Sequence, residues 1–148
     1  MVSNIKAGIE ARIEASLPEY KKLSYQLDIP KNKFKGNAKR YAVEPLSGNE
    51  TESTLGAITL DQTFSITLTD SYNSGAKSQV NDEVKVDAIL SLKDDIITLY
   101  KDISNNKKSI DNTVLLINDL NISEAEFIEE EKLAYVTCSF TVKYKINI

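Results

Sequence analysis

The residue types that most often carry enzyme chemistry are sparse in this sequence, and its one cysteine is the first to consider. Cys138 could act as a nucleophile only with a general base beside it, and the chain contains no histidine to fill that role. Cys138 also falls in the apolar register of residues 134–148, where every second residue is apolar. This alternation predicts a buried structural thiol, since free cysteine packs as a small apolar side chain.

Carboxylates are the other candidate chemical groups, and they are densest in residues 124–131. A calcium-binding loop needs ligands at set spacings around a glycine, and this segment has no glycine. Asp94 and Asp95 are adjacent, and adjacent helical residues point apart, so they do not form a paired-carboxylate site. The glycines fit no phosphate-binding pattern. We therefore predict no catalytic residue, metal or cofactor, and an enzyme of unrecognised type is the least favoured interpretation.

The strongest local feature is a basic segment, residues 31–40, with five positive charges and no negative one in a chain of net charge −4. It could contact a phosphate backbone or an acidic patch on a partner. A solvated hairpin loop is an alternative of equal standing. The aromatic residue in this polar loop favours an interface. The candidate interface residues here are Lys31, Lys33, Phe34, Lys35, Lys39 and Arg40.

A second candidate interface lies on the clearest strand of the chain, residues 58–69, in which apolar and polar residues alternate. Its apolar face predicts burial against helices. Its other face is rich in Thr and Ser, which suit exposed strand positions. That face meets either water or a neighbouring subunit, and its candidate interface residues are Thr63, Ser65 and Thr67.

The elements that must position these residues follow from hydrophobic periodicity. Apolar residues recurring every three or four positions predict helices, and alternating residues or short apolar runs predict strands. The order α-β-β-β-α-β-β predicts an α+β fold, a two-layer structure with a mostly antiparallel sheet and two helices packed on one face. The predicted helices are 4–17 and 81–104; the strands are 22–29, 40–46, 58–69, 114–122 and 134–148, with a marginal strand near 127 and polar loops at 31–38 and 47–56.

Length and composition set the class of protein. The chain has 148 residues, of which 41% are apolar and 27% charged. This length and composition predict a single domain over residues 1–148, large enough to bury a substantial hydrophobic core. The acidic net charge argues against a dedicated nucleic-acid binder. The sequence shows no secretory signal and no apolar run of about 18 residues that could span a membrane. We therefore expect an intracellular protein that works by assembling with other protein subunits.

Four segments together resemble a known family. They are a first helix that ends at Leu17-Pro18, the long strand of residues 56–69, the helix near 81–104, and the closing strand of residues 135–145. In this order, at about this length, the chain resembles the tail terminator (tail completion) proteins of long-tailed bacteriophages. The resemblance rests on the order of the elements and on the alternation of apolar and polar residues in the strands, and it covers nearly the whole chain.

The resemblance implies a homo-hexameric ring that caps the tail tube, ends tail growth and joins the tail to the head connector. Its implied partners are further copies of itself, the tail tube protein, the head–tail connector protein and, in a contractile tail, the sheath protein. DNA would pass through the ring without specific binding, and no membrane is involved. The implied location is the virion tail or neck, after synthesis in the host bacterial cytoplasm. The alternative is another phage neck or tail adaptor, or an assembly module, that acts as a monomer or dimer.

Overall fold

A computed structural model describes residues 2–23, 39–72, 82–128 and 132–147 of the chain. The predicted strand 22–29 and loop 31–38 fall mostly outside these ranges. Within them the chain forms three helices and six strands. In chain order these are α1 (Val2–Ser16), β1 (Lys21–Lys22), β2 (Arg40–Thr54), β3 (Ala57–Ser71), α2 (Asp82–Asn105), α3 (Lys107–Ile110), β4 (Val114–Ile122), β5 (Glu126–Ile128) and β6 (Leu133–Asn147).

The strands form one sheet in the order β1-β2-β3-β6-β4, and β5 pairs with β6 beside that path. Every pairing is antiparallel except the short parallel contact between β1 and β2. The central pair, β3 and β6, stays in register from Ala57 opposite Asn147 to Ser71 opposite Leu133. The predicted α+β class, mostly antiparallel sheet and order of elements are therefore confirmed. The marginal strand near 127 exists as β5, while α3 was not predicted.

The core lies between the helices and one face of the sheet. Alternate residues of β3 and β6 point to this face, as the period of two predicts. The apolar stripes of α1 and α2 join them in a single buried cluster, so helix burial and sheet burial support each other. The cluster includes Ile5, Ile9 and Ile13 of α1, Leu92, Ile96, Leu99 and Ile103 of α2, and Phe64, Ile66, Leu68, Val136, Phe140 and Val142 of the sheet.

The predicted loop over residues 47–56 is wrong, because β2 continues through it to Thr54. Every residue from 45 to 56 is exposed, so no face is buried and the sequence there loses the alternation that marks a strand. Backbone pairing with β3 nevertheless carries the ladder past two register shifts, the first of them between Pro45 and Gly48. The hairpin closes at Gly56, whose φ of 86° is readily adopted by glycine.

Side chains at the helix surfaces connect α1 and the residues after it to α2. The Arg12 guanidinium donates to both carboxylate oxygens of Asp102, at 2.9 and 2.7 Å. Such bidentate pairs fix geometry as well as adding energy. The Tyr20 hydroxyl donates to the Asp95 carboxylate at 2.6 Å, and burial, together with that bond, raises the pKa of Tyr20. These contacts set the position of α1 against α2.

Helix α1 also approaches α3 more closely than a side chain would permit. A Cβ built on Gly8 would lie 2.7 Å from the carbonyl carbon of Ile110 and would overlap its carbonyl oxygen. Ile110 itself is 5% exposed and belongs to the core cluster. Glycine therefore permits the close approach of α1 to the segment that leads into β4.

Candidate assembly surfaces

The basic segment is only partly within the described residues. The candidate residues Lys31, Lys33, Phe34 and Lys35 lie outside them, so their assignment to an interface stays a prediction. Lys39 lies 3.8 Å from the Asp70 carboxylate and 5.2 Å from the centroid of the Tyr20 ring. Arg40 begins β2, and its backbone N–H donates to the Thr69 hydroxyl at 3.2 Å. Both residues thus make contacts within their own chain.

Asp70 beside Lys39 provides a test of this region. Burial raises the pKa of Asp70; the backbone bond from Ser71 and the charge of Lys39 oppose this, and the charge of Asp95 adds to it. The folded state therefore binds a proton at Asp70 more readily than the unfolded state. The protonated carboxyl contributes stability at low pH, and that contribution is lost as pH rises through the folded-state pKa. We expect Asp70→Asn to raise the free energy of unfolding at about pH 7 and to have little effect near pH 3, where the carboxyl is protonated in both states.

Urea unfolding of both proteins at the two pH values measures this difference directly. Asparagine keeps an oxygen that can accept the 2.7 Å bond from the Ser71 N–H, so the local turn is preserved. A loss of stability at neutral pH, or an equal change at both pH values, would contradict the expectation.

The sheet face opposite the helices carries a ladder of hydroxyl groups. Thr63 of β3 lies opposite Thr141 of β6, and their hydroxyl oxygens are 3.3 Å apart. Thr67 lies opposite Thr137, with the hydroxyl oxygens 2.9 Å apart. Ser65 lies between them, opposite Ser139. The structure thus places the three candidate residues of β3 in one row and adds a matching row from β6.

Burial divides this row into two parts. Ser65 is 4% exposed and Thr67 only 1% exposed, whereas Thr63 is half-buried. Hydroxyl pairs such as Thr67 with Thr137 stabilise neighbouring strands by roughly 0.2–1 kcal/mol each. The side chains of Ser65 and Thr67 are therefore held inside the chain, and Thr63 is the candidate of this row that reaches the surface.

The hairpin end formed by residues 45–56 is a further candidate assembly surface, and it includes residues 47–56, which the resemblance implies become ordered on assembly. We call it the acidic arm. Its carboxylates are those of Glu50 and Glu52, and no lysine or arginine occurs between residues 41 and 72. It also exposes two apolar side chains, Leu46 at 55% and Leu55 fully. The lack of basic residues over this stretch distinguishes it from the basic segment, residues 31–40.

The first half of β4 is a second candidate assembly surface. The apolar run at its start predicts a strand covered on both faces, but Leu115 is 41% exposed and Leu116 is 43% exposed. A register shift between Val114 and Leu116 leaves Leu115 without a partner on β6, which turns the run outward. A shallow depression of about 310 Å³ beside it is lined by Asn112, Thr113, Leu115, Lys145 and Asn147.

Helix α2 exposes a third apolar feature. Val86, Leu90 and Ile97 are 53%, 54% and 41% exposed. Their spacing places them along one stripe of the helix, away from the stripe that enters the core. The apolar spacing that predicts this helix begins at Val86 and places that residue on the core stripe. That placement is wrong, because Val86 is exposed and the fully buried residues of the stripe begin at Leu92.

The remaining candidates for chemistry are the cysteine and the clusters of possible metal-binding side chains. Cys138 is 3% exposed, and burial raises the pKa of its thiol to about 12, so the predicted buried thiol is confirmed. Among the described residues, no group of three or more His, Cys, Asp or Glu side chains is arranged to hold a metal ion. No helix in the ranges that the structure describes is long and apolar enough to cross a membrane.

Comparison with known proteins adds no assignment. No protein-family model matches the chain, and no curated protein matches it significantly.

Proposed function

We propose that this protein is a structural virion subunit whose copies form a ring that caps the tail tube of a long-tailed bacteriophage. The ring, a hexamer, ends tail growth and joins the tail to the head connector. Its partners are its own copies, the tail tube protein, the head–tail connector protein and, in a contractile tail, the sheath protein. DNA passes through the ring without specific binding.

The acidic arm is the observation that carries this proposal. Fixing the backbone of each residue costs roughly 1–2 kcal/mol of conformational entropy. In the core that cost is offset by buried apolar area, but every residue from 45 to 56 is exposed in the single chain. Contact with another subunit would bury this hairpin end and pair its open strand edge, which would offset the entropy cost of ordering it. Self-assembly supplies that cover.

The order of the elements also supports the proposal. The first helix, the long strand β3, the long helix α2 and the closing strand β6 are the segments that carry the resemblance to tail terminators, and all four are formed. This agreement concerns the fold.

The native mass of the purified protein tests the proposal first. Light scattering across a concentration series is expected to show a species near six times 16.5 kDa, and negative-stain images should show it as a ring. If the free protein is monomeric, purified tail tubes should still capture it at one end. A protein that neither forms rings nor binds tail-tube ends would rule the proposal out.

The exposed stripe of α2 supports the alternative function, an adaptor that acts as a monomer or dimer. Exposed apolar side chains at helical spacing suit a groove in a different protein. The two functions separate in one comparison: replacing Leu90 and Ile97 by Ser should abolish partner binding by an adaptor. The same change should leave the mass of a ring held together by strand edges unchanged.

A further inference from the structure

Two strand edges at opposite ends of the sheet have no partner strand among the described residues. In the described part of the chain, β1 pairs with β2 only at Arg40 and Tyr41, so no described strand lies beside β2 at residues 47–54. At the other end, β4 pairs with β6 on one side, and none of the described strands pairs with its outer edge. An unpaired edge presents a row of backbone donors and acceptors that another strand can use.

The charges at these two edges have opposite signs. The acidic arm carries Glu50 and Glu52 with no basic residue nearby in its hairpin. The start of β4 is bordered by lysines: Lys143 is the neighbour of Leu116 on β6, and the Lys145 N–H donates to the Thr113 carbonyl at 3.0 Å. Lys108 reaches the same place, since its ammonium donates to the Val114 carbonyl at 2.6 Å. The Val114 N–H donates to the Asp111 carbonyl at 3.1 Å, so the open edge of β4 begins after Val114.

Acidic residues also lie near this edge: Asp61 of β3 is opposite Lys143, Asp119 is in β4, and Asp111 is in the turn before β4. Asp111 accepts bonds from both the backbone N–H and the hydroxyl of Thr113, at 2.9 and 2.6 Å. These bonds lower the pKa of Asp111 and hold its carboxylate in the turn before β4. Apolar groups are present on both edges as well: Leu46 and Leu55 on the arm, and Leu115 and Leu116 on β4.

We propose that the outer edge of the acidic arm, residues 47–54, pairs with the outer edge of β4, residues 115–118, of a second copy of this chain. The contact joins two different surfaces, so each copy keeps one edge free for the next copy. Repetition of such a head-to-tail contact closes into a ring when its rotation permits. This inference rests on the proposed ring and names the surfaces that build it.

Cysteine cross-linking gives the most direct test. In the variant Glu52→Cys with Leu116→Cys, the two thiols of one chain stand on opposite edges, separated by β3 and β6. Three strand spacings amount to about 14 Å, whereas a disulfide needs Cα atoms within about 7 Å. Under mild oxidation we therefore expect cross-links between copies, seen as a ladder of multimers on a denaturing gel. The matched control is Glu52→Cys with Val86→Cys, which should give no such ladder.

Charge reversal gives an independent test that leaves the core untouched. We expect Glu50→Lys with Glu52→Lys to raise the concentration needed for assembly at least about tenfold, because like charges then face each other across the interface. Adding Lys143→Glu and Lys145→Glu to the same chain should restore assembly. The control, Glu124→Lys with Glu126→Lys, makes the same change in net charge at exposed residues near β5 and should assemble normally.

The outcomes separate this inference from the proposed function. Rings that form normally in the charge-reversed arm variant, without a cross-linked ladder, would overturn the edge pairing and leave the ring standing. A cross-linked ladder from a protein that never caps tail tubes would support the pairing and reject the tail function. Assembly that stops at a dimer would overturn the pairing, since it indicates a contact between two identical surfaces.

Discussion

Replacing Phe140 by alanine is expected to lower the free energy of unfolding by about 3–5 kcal/mol, the usual cost of removing a buried aromatic side chain. Phe140 is 1% exposed near the middle of β6, with its ring centroid 6.4 Å from that of Phe64 and 6.1 Å from that of Tyr100. The change removes contacts to both β3 and α2, and it leaves a cavity where the helices meet the sheet. Since a domain is usually stable by only about 5–15 kcal/mol, this single change should remove a large fraction of the total stability.

Urea unfolding followed by circular dichroism measures the loss. Phe127 offers a matched control, because it is the same residue type at 38% exposure on the short strand β5. Its substitution by alanine removes mainly an edge-to-face contact with Tyr72 and should cost about 0.5–1.5 kcal/mol beyond the loss of its smaller buried area. Equal losses for the two variants would mean that the core is not organised around Phe140.

The second large effect is expected from Gly8→Ala. Alanine is normally the better helix former by about 1 kcal/mol, so propensity alone predicts a more stable protein. The new methyl group would instead overlap the backbone of Ile110, and backbone atoms cannot turn away as a side-chain end can. We expect a net loss of about 2–3 kcal/mol, in the range found for overpacked cores.

Thermal and urea unfolding decide the sign of this change. Ala11→Ser also adds one heavy atom to α1, but at an exposed position, and should cost only about 0.5 kcal/mol. A Gly8→Ala protein more stable than the wild type would show that α3 moves away without loss. In that case the α1–α3 contact would have no part in placing the start of β4.

The parts of the fold that sequence predicts well are those with one buried face. In β3 and β6, apolar residues such as Phe64 and Val142 alternate with Thr and Ser, because the helices cover one side only. The stripe of α1 is equally clear, and Ile5, Ile9 and Ile13 are fully buried. Periodicity reports burial, and it identifies an element only where burial is one-sided.

The link between periodicity and one-sided burial also explains where the predictions from sequence were wrong. The acidic arm has no buried face, so residues 47–54 have the composition of a loop although they are paired as a strand. Leu115 and Leu116 form part of an apolar run that normally indicates a doubly covered strand, yet the register shift at Leu115 exposes both. Neither the pairing partner of an exposed strand nor the position of a bulge is encoded in local hydrophobicity.

The candidate site shows the same limit. The residue types of the hydroxyl row, including Thr63 and Thr67, were recognised as a distinct face, but their exposure depends on how neighbouring strands crowd them. The acidic edge on β2 and the basic edge on β4 are placed at opposite sides of the sheet by the order of its strands. That order follows from long-range pairing, which no segment of the sequence specifies alone.

The position of β6 in the sheet has a consequence for how the chain is made. β6 lies between β3 and β4, yet it follows every other strand in the chain. During translation, β3 and β4 emerge from the ribosome before β6, so the edge of each strand that pairs with β6 stays unpaired until β6 is synthesised. The full pairing of β3 from Ala57 to Ser71 thus completes late, after the intervening helices have been synthesised. A nascent chain that stops before Leu133 exposes two hydrophobic strands at once, which makes it a natural substrate for chaperones and proteases.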